Sequence, residues 1–163
     1  IGLHGNSHMQ SDQLLIPSSL EDHLGFWLRF VSNHVSLRFQ KLLENESVTV
    51  TEWVALRTLW NESESSHATL IEALGMTKGA ASKVINRLEE KGLAERKLVD
   101  GRAREQKLSL TIKGKMLVPR LAQLADENED YFFAHMSQSE QNVLIDTLKS
   151  LVKHHQLKEF PMS

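Results

Sequence analysis

Residues 70–111 read LIEALGMTKGAASKVINRLEEKGLAERKLVDGRAREQKLSLT, and the punctuation of this stretch decides the fold. Leu70, Ile71 and Leu74 recur at helical spacing before Gly75. Glycine tolerates the positive φ that a short turn between crossing helices needs. Thr77 then offers a hydroxyl to the orphan N–H groups of a second helix. That helix places Ala81, Val84, Ile85 and Leu88 on one face and Lys78, Ser82, Lys83, Asn86 and Arg87 on the other. Gly92 just past Lys91 is the expected stop, a glycine after a cation.

The segment after the second helix predicts a hairpin. Residues 93–99 form one candidate strand, and Gln106, Leu108 and Leu110 alternate with Lys107 and Ser109 in another. Asp100-Gly101 between them is a strong turn signal, and Arg102 and Arg104 sit at or just past its tip. Lys, Ser, Asn and Arg side chains can donate to base edges and phosphate oxygens in a major groove. An arginine on a hairpin tip suits a narrow, electronegative minor groove. A solvated charged face is the bland alternative for the helix alone; the basic hairpin directly behind it favours DNA.

The stretch resembles the winged helix–turn–helix of MarR-type bacterial transcriptional regulators. Three motifs carry the likeness: L-x-x-x-L-G (70–75), T-K-x-x-x-S-K-x-I-x-x-L-E-x-x-G (77–92) and D-G-R-x-R-x-x-x-L-x-L-T (100–111), the last continued by Gly114. The third is the most specific. The flanking helical pattern extends the likeness over about 20–155. The resemblance implies a two-fold dimer with intertwined terminal helices. It also implies a pocket for aromatic or phenolic small molecules between those helices and the winged lobe.

Working outward, Ser18 and Glu21 read as a capping box opening a helix of about six turns, with Leu20, Leu24, Trp27, Leu28, Val31, Val35, Phe39 and Leu42 at spacings of three and four. Thr49 and Glu52 read as a second box, before Trp53, Leu56, Leu59 and Trp60. Residues 61–66 read as a polar loop. Thr111 opens a long helix to about Ala134, and Pro119, which lacks a backbone donor, is expected to kink it. Ser137 and Glu140 form a third box before a last helix carrying Val143, Leu144, Leu148, Leu151 and Val152.

The fold class expected is therefore mainly α with a small β wing (α+β). The expected divisions are an expression remnant (1–8), an N-terminal arm and dimerisation helix (9–47), the winged DNA-binding lobe (48–111), C-terminal dimerisation helices (112–157) and a tail (158–163). A winged module this small cannot cover apolar helices so distant in sequence, so the terminal helices of two chains are expected to pack as a homodimer. Two recognition helices would then meet successive major grooves, roughly 34 Å apart, on a pseudo-palindromic site.

Charge distribution agrees with this. The chain of 163 residues has a net charge of −2, yet residues 77–107 hold nine Lys or Arg and five Asp or Glu, a balance of +4, which leaves −6 elsewhere. Such a dipole turns the basic lobe toward phosphates. There are no cysteines, which excludes disulfides, Cys-based zinc sites and the peroxide sensing by cysteine found in some members of the resembled family. No apolar run approaches a membrane span, and a cytoplasmic location follows by default.

Other chemistry finds little support. His23, His34, His67, His135, His154 and His155 form no H-E-x-x-H or His/Cys array, so no metal site is expected. No phosphate loop or nucleophile elbow is present, and Glu89-Glu90 belongs to a polar helix face. No enzyme activity and no cofactor are expected.

The reading is a ligand-responsive, DNA-binding transcriptional regulator, a repressor acting as a dimer. Ser82, Lys83, Asn86 and Arg87 face the major groove; Arg102 or Arg104 enters the minor groove, with Asp100 a candidate to hold the loop arginine. Thr77, Lys78 and Lys107 are phosphate candidates. Candidate effector-pocket residues are Trp27, His34, Arg38, Trp53, Arg57 and Trp60, since arginine near tryptophan can hold an aromatic carboxylate. The alternatives are a winged-helix protein–protein adaptor without DNA binding and a metal-responsive regulator.

Overall fold

The computed structural model describes residues 15–61, 65–99 and 102–157, with side chains omitted at 98, 99 and 102–106. The elements run α1 (Leu24–Glu44), α2 (Val50–Asn61), β1 (Ser65–Ser66), α3 (His67–Leu74), α4 (Lys78–Glu90), β2 (Ala94–Val99), β3 (Arg102–Leu110), α5 (Ile112–Phe133) and α6 (Gln138–His154). The mainly helical class with a small β wing is observed. The strands form an antiparallel sheet in the order β1-β3-β2.

Local signals account for most boundaries. Thr49 N–H donates to Glu52 Oε1 (3.1 Å) and Glu52 N–H to Thr49 Oγ1 (3.2 Å), a reciprocal box at the start of α2. Ser137 and Glu140 form the same box at α6. Ser66, Thr77 and Thr111 cap α3, α4 and α5. Gly75 ends α3 at φ 61°, a left-handed conformation that side chains resist. Helix α5 is continuous through Pro119, with Val118 and Leu121 buried on either side of it.

Two expectations need correction. The Ser18–Glu21 box does not open α1: Ser19 caps a single 3-10 turn, Leu20–Asp22, without a side-chain bond, and α1 begins at Leu24. Ser18 Oγ instead bonds His23 Nε2 (3.2 Å), and His23 is extended and breaks the run. Residues 61–66 are not all loop: Asn61 closes α2, and Ser65 and Ser66 pair with Leu108 and Lys107 of β3. A two-residue strand has no periodicity, and its partner lies over forty residues away.

The chain divides into two compact units, Ile1–Val35 and Ser36–Ser163. In the first, Leu24, Trp27, Leu28, Phe30 and Val31 are exposed. The second holds the core, where Leu43, Leu56, Leu59, Leu70, Ile85, Leu88, Leu108 and Leu121 are all at most 2% exposed. Each such side chain stabilises the fold by about 1.5–3 kcal/mol relative to exposure. Gly114, on the first turn of α5, is buried against Leu93; a Cβ there would collide with the Leu93 carbonyl oxygen. On α6 of the same unit, Val143, Leu144, Ile145, Leu148, Leu151 and Val152 remain exposed.

Candidate nucleic-acid interface

Helix α4 turns its apolar stripe inward: Ala81, Val84, Ile85 and Leu88 are buried. The helical period then forces the remaining positions outward, and Lys78, Lys83, Asn86 and Arg87 are exposed with Ser82 half-buried. The Thr77 hydroxyl accepts from Ala80 N–H (3.2 Å) at the helix start and retains its own proton for an anion. Free N–H groups and the helix dipole favour phosphate at this end.

Both ends of α4 are fixed. At the C-terminus, Lys91 Nζ donates to Glu52 Oε2 (2.7 Å), Glu52 Oε1 (3.0 Å) and Ser47 O (2.7 Å). Lys113 Nζ reaches Lys91 O (3.1 Å), and Thr111 Oγ1 donates to Gly92 O (2.6 Å). Near the N-terminus, His67 of α3 bonds Ser82 (Nε2 to Oγ 3.3 Å), and Ser82 Oγ donates to Lys78 O (2.9 Å). The single hydroxyl proton is thereby used, so His67 Nε2 carries the hydrogen it shares with Ser82. Burial pushes the His67 imidazole below its usual value, and the nearby Arg96 and Lys78 cations act in the same direction.

Arg96 of β2 ties the polar face to the sheet. Its Nη2 donates to Asn86 Oδ1 (2.5 Å), and its Nε lies 2.5 Å from Glu89 Oε1. Sequence reading did not single out Arg96, His67 or Lys91 for these contacts. Arg96 stands at the fourth position after Gly92, where strand alternation could have turned it back onto α4.

Lys107 is exposed on β3, opposite Lys97. The backbone of Arg102 and Arg104 lies on β3, but their side chains are outside the described residues, as is Asp100 entirely.

Five of the six effector candidates have described contacts of their own. Trp27 Nε1 donates to Glu21 O (2.9 Å), and His34 bonds Phe30 O (2.8 Å) within α1. Arg38 Nη1 donates to buried Asn128 Oδ1 (3.0 Å) and its guanidinium lies 4.0 Å from the Tyr131 ring centre. Trp53 packs on Phe39, Arg57 bonds Asn61 (2.6 Å), and Trp60 is exposed. A cleft of about 590 Å³ has Leu93, Ile112, Met116 and Leu117 among its lining residues, beside Lys91 and Lys113; none of the six candidates lines it. Among the described residues no cluster of His, Asp and Glu could hold a metal ion, and no helix is long and apolar enough to cross a membrane.

The family model for MarR matches residues 48–99, which span α2 to β2. The proposed transcriptional regulator of the hcr operon of Thauera aromatica is 29% identical over 140 residues, covering 85% of this chain and 84% of that protein. Among solved structures, CouR of Rhodococcus jostii RHA1, bound to p-coumaroyl-CoA, superposes with a TM-score of 0.75 at 23% identity, over 83% of this chain and 95% of that one. MepR of S. aureus, in complex with DNA, gives 0.75 at 21% identity, over 81% and 98%. At these identities the superpositions show a common fold.

Proposed function

Since this chain belongs to the MarR family and is a DNA-binding transcriptional regulator, we propose that it acts as a ligand-responsive repressor, a homodimer on a pseudo-palindromic operator. The observation that supports the DNA reading best is the amphipathic division of α4. Four buried apolar residues fix the helix, and the opposite face carries Lys78, Lys83, Asn86 and Arg87 outward. Ser82 joins them toward the major groove, Thr77, Lys78 and Lys107 approach phosphates, and Arg102 or Arg104 enters the minor groove beside Asp100.

The homodimer is supported by apolar surface that one chain leaves uncovered. Leu24, Trp27, Leu28 and Val31 of α1 are exposed, and so, taken separately, are the leucines and valines of α6; uncovered apolar side chains of this kind mark an interface. Dimerisation through these helices would set the spacing of two α4 helices against successive major grooves.

The effector reading rests on aromatic and cationic groups on α1 and α2, and on the CouR complex with p-coumaroyl-CoA. An aromatic acid would release DNA only by binding better to a dimer whose α4 helices are differently spaced. Such regulation requires no catalysis, and the residues assigned here act by binding alone.

Selection of genomic fragments by the purified protein, followed against salt, tests the proposal. The expected result is an enriched inverted repeat, bound in the nanomolar range with a steep loss of affinity as salt rises. No enrichment and only weak residual binding would sink it and leave the adaptor reading.

A further inference from the structure

The Arg96–Asn86 contact fixes more than the position of a helix. We propose that Arg96 is a positioning residue that sets the hydrogen-bond polarity of the recognition helix, so that Asn86 meets the major groove as a donor only. This rests on the reading that the polar face of α4 enters that groove.

The geometry carries the inference. A guanidinium can only donate, so the Asn86 atom 2.5 Å from Arg96 Nη2 is the carbonyl oxygen. The amide orientation is therefore fixed by chemistry. Turning the amide over would set its NH2 against the guanidinium, donor against donor. Arg96 is itself anchored by Glu89, three residues along α4, at 2.5 Å. It lies on β2, whose pairing with β3 runs from Ala94 opposite Leu110. With Oδ1 drawn back toward the sheet, exposed Asn86 offers its two N–H groups.

The chemistry of base edges follows. Guanine shows O6 and N7 as acceptors and thymine shows O4. Adenine is read bidentately only by an amide that donates to N7 and accepts from N6. A carbonyl turned toward Arg96 is withdrawn from that role. Asn86 thus selects for guanine or thymine and against adenine.

The test is selection from a random duplex DNA pool by the full chain, followed by competition with single-base variants of the selected site. The position read by Asn86 is the one whose preference disappears in Asn86→Ala. There the unaltered chain should prefer guanine or thymine over adenine by about tenfold, the size of a good amide–base match. Arg96→Met should raise adenine to parity or better, and Arg96→Lys, which still donates, should restore the discrimination. Asn86→Asp keeps an acceptor for Arg96 but removes the donors, and should turn the preference toward cytosine, whose N4 donates. If Arg96→Met does not fold, Asn86→Asp carries the test alone.

Three results would overturn the proposal: adenine preferred by the unaltered chain at that position; Arg96→Met weakening all sequences equally with the base preference intact; or Asn86→Ala changing no position of a selected site. In the last case the DNA-binding regulator stands without this reader. If the unaltered chain selects no sequence at all, the regulator reading fails and takes this proposal with it.

Discussion

Lys91 Nζ lies 2.7 Å from Glu52 Oε2, and the carboxylate it meets is wholly buried. The same ammonium donates to the carbonyl of Ser47, a residue in left-handed conformation at φ 56°. One side chain thus joins the end of α4, the turn after α1 and the start of α2. Glu52 also accepts from Thr49 N–H, so both its oxygens are bonded. Removing the cation leaves a buried charge with backbone help alone. Because the Lys91 side chain is itself 37% exposed, solvent screens part of the pair, and Lys91→Met should cost about 1–3 kcal/mol of unfolding free energy. Adding Glu52→Gln in the same chain should recover part of the loss, because the orphaned charge is gone. Urea unfolding of the two variants measures this; an unchanged midpoint for Lys91→Met would show the pair to be dispensable.

Residues that act over a few positions were legible in the sequence, and those that act across it were not. Thr49, Thr77, Thr111 and Ser137 each cap the helix beginning next to them, and Gly75 and Gly92 take positive φ where their helices stop. These effects depend on near neighbours and so leave a local pattern. Ser18 and Glu21 show the limit of such patterns, since the spacing was right and the chain turned away at His23. The Lys91–Glu52 pair spans 39 residues and the Arg38–Asn128 bond 90. No periodicity announces either. The outward polar face of α4 could be read from its apolar stripe, but not that Arg96 and His67 reach back to Asn86 and Ser82. A polar residue's partner across the fold depends on packing that only the structure displays. The contacts of Arg38, a candidate for the effector pocket, with Asn128 and the Tyr131 ring of α5 were illegible for the same reason.

Gly114 makes the sharpest steric prediction. It sits where α5 leaves the sheet, with Thr111 N–H bonded to Leu93 O (3.1 Å) and Leu110 packed close by. An added methyl would meet backbone, which cannot swing aside as a long side chain can. Gly114→Ala should destabilise by about 1–3 kcal/mol, the cost of overpacking, despite the better helix propensity of alanine. Thermal unfolding compares the two chains, and a gain in stability for the alanine variant would contradict the close approach.

His67 should make stability depend on pH. Its pKa is held below the ordinary 6.5, first by burial and then by Arg96 and Lys78, with Glu89 opposing. As pH falls below about 6.5, the unfolded chain takes up a proton that the folded chain resists. Stability is therefore full above that pH and declines as pH drops toward the lowered folded value. His67→Gln can still donate to Ser82 but cannot titrate. Urea unfolding at about pH 7.5 and about pH 5.5 should show a smaller loss in the variant. Equal losses in both chains would mean that His67 contributes nothing to the acid side.

The wing yields the last prediction, on DNA affinity. A basic hairpin that enters the minor groove contributes through an arginine whose charge is favoured in a narrow channel. Arg104→Ala should weaken operator binding by about 1–3 kcal/mol, and Arg102→Ala, measured beside it, identifies which of the two inserts. A residue that only meets phosphate behaves differently: Lys78→Ala should lower affinity for all sequences alike and reduce the salt slope by about one. Titrations at several salt concentrations separate the two behaviours. Unchanged affinity in both arginine variants would remove the wing from the interface and leave α4 as the element that contacts DNA.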